Sequence, residues 1–147
     1  MNTLLKGLVV ALMMVTHIVS ADDSSSQFVK FSNTTVKMPM PGMMMTAAFV
    51  GIENTGTMPL VLIGVKTDFA NMSELHGMLM NDGVMQMRKA NDGWVIAPGA
   101  ILILAPGGKH VMLMGLNNAL LDQQHVEMQF NFEGKGWVST MATVKAM

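Results

Sequence analysis

Cysteine is absent from the 147 residues, and so is tyrosine. The first absence removes several chemistries at once: disulfide scaffolds, zinc fingers, iron–sulfur clusters, thiol redox centres and copper sites built on a thiolate. Charge is also scarce. Asp, Glu, Lys and Arg make up 13% of the chain, and the formal net charge is −1. With no basic run, the balance argues against nucleic acid as a partner. The few carboxylates are scattered, with no pair spaced for acid–base work, and the serines at 24–26 sit in a polar stretch where no triad assembles. No enzyme is expected. Against these absences stands one excess, 19 methionines. Two causes compete: a flexible side chain filling core gaps, or a set of soft thioether ligands.

Residues Met1–Ala21 have the order of a secretory signal peptide: Lys6, then an apolar run from Gly7 to Val15, then the small-residue end Val19-Ser20-Ala21 before the polar stretch Asp22–Ser26. Thr16 and His17 interrupt the run, which is short for a membrane span. Cleavage is expected after Ala21, the alternatives being a retained anchor or a site shifted by a residue or two. The expected organisation is a leader at 1–21 and one domain at 22–147, periplasmic, with no stable membrane span once the leader is gone. Methionines 1, 13 and 14 leave with the leader, so the excess belongs to the domain. A domain of that length without disulfides must depend on its core.

The domain reads as all-β. Strands are expected near Phe28–Phe31, Thr46–Asn54, Leu60–Thr67, Val84–Lys89, Ile101–Leu104, Lys109–Gly115, Val126–Phe132 and Val138–Lys145. Turn residues separate them, among them Asn54-Thr55-Gly56, Asn81-Asp82-Gly83, Asn91-Asp92-Gly93, Ala97-Pro98-Gly99 and Pro106-Gly107-Gly108. In Val126–Phe132, apolar Val126, Met128, Phe130 and Phe132 alternate with polar Glu127, Gln129 and Asn131, as in a half-buried antiparallel strand. Residues 116–124 suit a turn of helix or a loop. Many short strands at regular spacing indicate an antiparallel β-sandwich or barrel.

Candidate ligands concentrate in Glu74–Met80, Asp82–Arg88 and Pro106–Leu116. Residues two apart on a strand share a face, so His110 and Met112 project together, as do Met85 and Met87 if that segment is extended. Ten residues separate His76 from Met87, twenty-two separate Met87 from His110, and one separates His110 from Met112.

The segments ELHGMLMNDGVMQMRKA and APGGKHVMLMGL resemble the periplasmic copper chaperones of the PCuAC type, whose hallmark is H-x10-M-x21/22-H-x-M. Upstream, MPMPGMMMTAAFVGIENTG is similar to that family's PPG…TAAY…N-x-G segment. The resemblance covers roughly residues 36–133. It implies a cupredoxin-like β-sandwich binding Cu(I) through His76, Met87, His110 and Met112. It also implies transient docking to a Cu(A) oxidase subunit or an oxidase-assembly copper protein, and delivery of copper to the Cu(A) centre of cytochrome c oxidase. The donor chemistry agrees, since Cu(I) is soft and favours thioether and imidazole.

Each of these residues also has a structural reading. His76 and His110 could be ordinary surface histidines. Of Met85 and Met87, one is expected in the core and the other as ligand, and the family spacing selects Met87. The family register selects Met112 over Met114, which is expected to pack nearby; Met78 could play an auxiliary part. His125 falls outside the motif and reads as surface or structural. Met38, Met40 and Met43–Met45 are not required by the family pattern and could rim the site or fill core gaps. Trp94 and Trp137 each follow a glycine, and core or turn packing is the default for both. Two other classes stay open at this level. A blue-copper electron carrier would need the missing thiolate. A secreted β-sandwich without metal, serving in binding or assembly, would make the ligand spacing a coincidence.

Overall fold

The alternation at 126–132 is realised in full: Val126, Met128, Phe130 and Phe132 are buried while Glu127 is exposed. The same period-2 logic produces a chain of strands throughout the computed structural model, which describes residues 28–147. The leader expected at Met1–Ala21 and the polar segment after it lie outside the described residues. There are ten strands among the described residues: β1 (Val29–Lys37), β2 (Met45–Asn54), β3 (Leu60–Lys66), β4 (Ala70–Asn81), β5 (Val84–Lys89), β6 (Trp94–Ile96), β7 (Ile101–Leu104), β8 (His110–Leu116), β9 (His125–Phe132) and β10 (Gly136–Lys145). None of the described residues is helical, so the fold is all-β.

The strands run in the order β5-β4-β8-β2-β1-β10-β9-β3-β6, with β7 beside β2. Every pairing is antiparallel except β1 with β10, which is parallel, so the sheet is mixed. One apolar cluster joins its inner faces. Val111 and Leu113 of β8 and Ala48, Val50 and Ile52 of β2 share it with Leu60 and Leu62 of β3 and with the four inward residues of β9. Phe31 lies over Phe130 with centroids 5.3 Å apart, and Phe28 meets Phe132 edge-on at 6.0 Å. Such contacts stabilise an offset or edge geometry beyond the area they bury.

Two strands were not delimited in the sequence, although Trp94 reads as a strand start and His76, Met78 and Met80 as one strand face. One is β6, only three residues long. The other is β4, where Leu75, Gly77 and Leu79 alternate with Glu74, His76, Met78 and Met80. Methionine on both flanks of a glycine blurs the apolar–polar alternation, so the pattern has little contrast. β1 runs past the expected Phe31 to Lys37, with a register shift between Ser32 and Thr35 where Asn33 takes φ 51°. Residues 117–124 form turns, with Leu120 buried.

The loop between β4 and β5 sets the geometry that follows. Asp82 and Gly83 both have positive φ, 49° and 77°. That is the requirement of a two-residue type I′ hairpin turn, which Asp-Gly meets at low cost. It closes with Asn81 opposite Val84 and so sets Met80 against Met85, Met78 against Met87 and His76 against Lys89.

Candidate metal site

On β4 the residues with even numbers from 72 to 80 lie on the face opposite Leu75, whose side chain is in the core. β8 pairs with β4 so that His76 stands directly opposite His110, Glu74 opposite Met112, and Met72 opposite Met114. β2 continues two of these rows, with Ala47 against Met112 and Met45 against Met114. Opposed residues point to one side of the sheet. All four motif residues therefore share the outer face of three adjacent strands. The two histidines are immediate neighbours. Met112 is two residues from His110 along β8, and Met87 is diagonal to His76 across the hairpin, directly opposite Met78.

The imidazole centroids are 5.8 Å apart. Metal–imidazole bonds of about 2.0–2.1 Å put two rings on one ion at roughly that separation. The hydrogen bonds assign a role to each ring nitrogen. His110 Nδ1 lies 2.9 Å from the Gly108 carbonyl, an acceptor, so Nδ1 carries the proton and Nε2 keeps its lone pair. His76 Nε2 lies 2.9 Å from Glu74 Oε2, and its Nδ1 is buried with no hydrogen-bond partner. With the Nε2–H donated to Glu74, Nδ1 is a bare lone pair shielded from water, an arrangement with a polar cost unless something accepts it. Each ring thus has one nitrogen held by an acceptor and the other free, the pattern in which an outer partner orients a ligating histidine.

Glu74 is held in turn. Lys89 Nζ donates to Oε1 at 2.8 Å while His76 occupies Oε2. The hydrogen bond from His76, and after it that from Lys89, holds the Glu74 carboxyl below the ordinary glutamate range. Neither Glu74 nor the Gly108 carbonyl was singled out in the sequence. The signal for Glu74 was present, since a two-residue Asp-Gly loop sets 76 against 89 and leaves 74 one step along the same face.

The thioethers do not divide as the sequence suggested. Met85 and Met87 are both exposed, at 50% and 46%, so neither is in the core. Both stand opposite the outward residues Met80 and Met78 of β4, on the face away from the core. Met112, Met114 and Met78 are half-buried on the site face. Met40, Met43, Met44 and Met45 are exposed, which bears out a surface placement, while Met38 packs on the core. Trp94 packs against the core, but Trp137 is 46% exposed, with Lys66 Nζ 4.3 Å above its ring. His125 is exposed and hydrogen-bonds Thr143 Oγ1 at 3.3 Å, away from the site.

Among the described residues no three His, Cys, Asp or Glu side chains gather closely enough to hold a metal ion. A cation here would need thioether sulfur to complete its coordination. That selects against hard cations, which seek oxygen, and in favour of soft ones.

Comparison with solved structures finds the same architecture. The apo PCuAC domain from PmoF1 matches with a TM-score of 0.68 and 25% identity, over 82% of this chain and 95% of that domain. The solution structure of Cu(I)-DR1885 from Deinococcus radiodurans matches with a TM-score of 0.62 and 27% identity, over 85% of each chain. The fold is therefore PCuAC-like. In sequence, "Putative lipoprotein Lxx21020" of Leifsonia xyli subsp. xyli (strain CTCB07) is 36% identical over 104 residues, 71% of this chain and 61% of that protein. The profile of the family described as "Putative lipoprotein LpqE-like" matches residues 29–144, from the first strand to the last, and on that match the chain belongs to the LpqE-like family.

Proposed function

We propose that this protein is an exported Cu(I) chaperone that holds the ion through His76, Met87, His110 and Met112. The observation that carries this reading is the pair of imidazoles on a methionine-rich face, each with one nitrogen anchored and the other free. Cu(I) binding in the DR1885 relative, and the PCuAC-like fold, support copper as the ion. The donors are all neutral, and thioether sulfur does not titrate, so protons compete only at the histidines. A site without thiolate holds Cu(I) less tightly than a cysteine pair would, and exposure of Met87 leaves one donor open to exchange. Both features suit a carrier that gives up its ion to a partner by ligand exchange. The recipient we propose is the Cu(A) centre of cytochrome c oxidase, reached directly or through an oxidase-assembly protein. The leader pattern at 1–21 and the lipoprotein descriptions of the relatives support export to the periplasm.

The test is Cu(I) competition titration with X-ray absorption on the loaded protein. The expected first equivalent has nitrogen and sulfur scatterers in equal number. Binding no tighter than about micromolar, a binding free energy near −8 kcal/mol, would sink the chaperone reading. Glu74 supplies a sharper variant. Glu74→Gln keeps the size of the side chain but loses the anionic acceptor that fixes the His76 tautomer. Cu(I) affinity is expected to fall about 10–100-fold, the usual cost of removing an outer-shell partner. Unchanged affinity would show that Glu74 does not position His76.

A further inference from the structure

Two residues along from Met112, the outer face carries a row made only of methionine. Met72 of β4 and Met45 of β2 are both register partners of Met114 of β8, which stands between them. Three thioethers thus lie side by side across three adjacent strands. Directly opposed residues have Cβ atoms about 4.5–5.5 Å apart, and the unbranched methionine side chain has the reach and freedom to converge from that spacing. The row is not part of the core. Met72 and Met45 are 53% and 45% exposed and Met114 is half-buried, and none belongs to the apolar cluster. No imidazole or carboxylate stands in the row, so sulfur is the only donor it offers.

From His110 to Met114 is four residues of extended chain, about 13 Å at the usual rise. An ion held by the row is too far from the histidine pair to share it. Met112 lies between the two, in the row with Glu74 and Ala47.

We propose that Met45, Met72 and Met114 form a second, all-thioether site for a soft monovalent cation, Cu(I) or its analogue Ag(I), with Met112 as the neighbouring donor between the two sites. Three neutral sulfurs exclude hard cations such as Ca²⁺ and Mg²⁺, which require oxygen. That Cu(I) is the natural ion rests on the function proposed above, whereas the sulfur donor set does not.

The experiment is Ag(I) titration of the full chain, with native mass spectrometry for stoichiometry and methionine ¹³C-methyl resonances for location. Two equivalents are expected for the wild type, with the Met45, Met72 and Met114 methyls shifting together. The triple variant Met45→Leu, Met72→Leu, Met114→Leu should lose one equivalent. Leucine swaps at partly exposed positions are tolerated in folding, and the wild-type methyl shifts stand as a test without any variant. His76→Ala with His110→Ala should keep one equivalent, reported by the same three methyls. The second site is overturned if those methyls stay in place at saturation, or if the folded triple variant binds as many ions as wild type. A histidine double variant that loses nothing overturns the His–Met site instead and leaves this one standing.

Discussion

Replacing His76 and His110 together by alanine is expected to abolish tight Cu(I) binding at the first site while leaving the fold in place. The change removes both proposed nitrogen donors and leaves the proposed thioethers Met87 and Met112, which lie on opposite sides of the histidine row, on β5 and β8. Loss of an outer partner alone costs about 10–100-fold in affinity, so loss of two direct donors should exceed the upper end of that range. The structural cost is smaller. His110 is 7% exposed and gives up one hydrogen bond to the Gly108 carbonyl, worth about 0.5–1.5 kcal/mol. His76 is half-buried on the outer face and gives up its Nε2 hydrogen bond to Glu74, whose carboxylate keeps Lys89 as a partner. Competition titration should show the affinity collapse, and X-ray absorption should show nitrogen scattering vanish. Wild-type affinity in the folded double variant would remove the histidines from the site.

The largest effect on stability is expected at Phe130. It is fully buried, stands opposite Val138 of β10 and Val65 of β3, and takes the face of Phe31 at 5.3 Å. Three strands therefore meet on one side chain. Phe130→Ala should cost about 3–5 kcal/mol, combining lost transfer energy with the cavity left behind. Since domains of this size hold only about 5–15 kcal/mol in all, that is a large share. Urea unfolding should show a lower midpoint with an unchanged slope, because the same surface is exposed on unfolding. A loss under about 1 kcal/mol would mean that the β9 neighbours close over the gap. The two variants should separate cleanly, the histidine pair changing binding and Phe130 changing stability, since they lie on opposite faces of the sheet system.

The legibility of the fold varied with contrast. In β9 every second residue is apolar and the rest are polar, so strand and face were both readable. In β4 the outward residues are themselves methionines, and hydrophobicity could not tell the two faces apart. The same ambiguity misplaced Met85: sequence patterning treats a thioether as a core residue, and only the pairing of β5 with β4 shows that it faces outward with Met80. The Asp82-Gly83 turn was legible because its positive φ angles demand particular residues, and the register of β4 on β5 followed from it.

By itself the sequence determined the class of chemistry. No cysteine rules out thiolate sites, the alternation makes the domain all-β, and the resemblance to the PCuAC hallmark nominates His76, Met87, His110 and Met112 as donors. What only the tertiary structure decided is which of them meet. β4 and β8 are far apart in the chain yet adjacent in the sheet, and this non-local pairing brings His76 against His110. It also lines Met45, Met114 and Met72 into one row from three separate segments. Local propensity acts within a few residues, whereas the order of strands depends on how all the apolar faces close on one core, so the row could not be read along the chain.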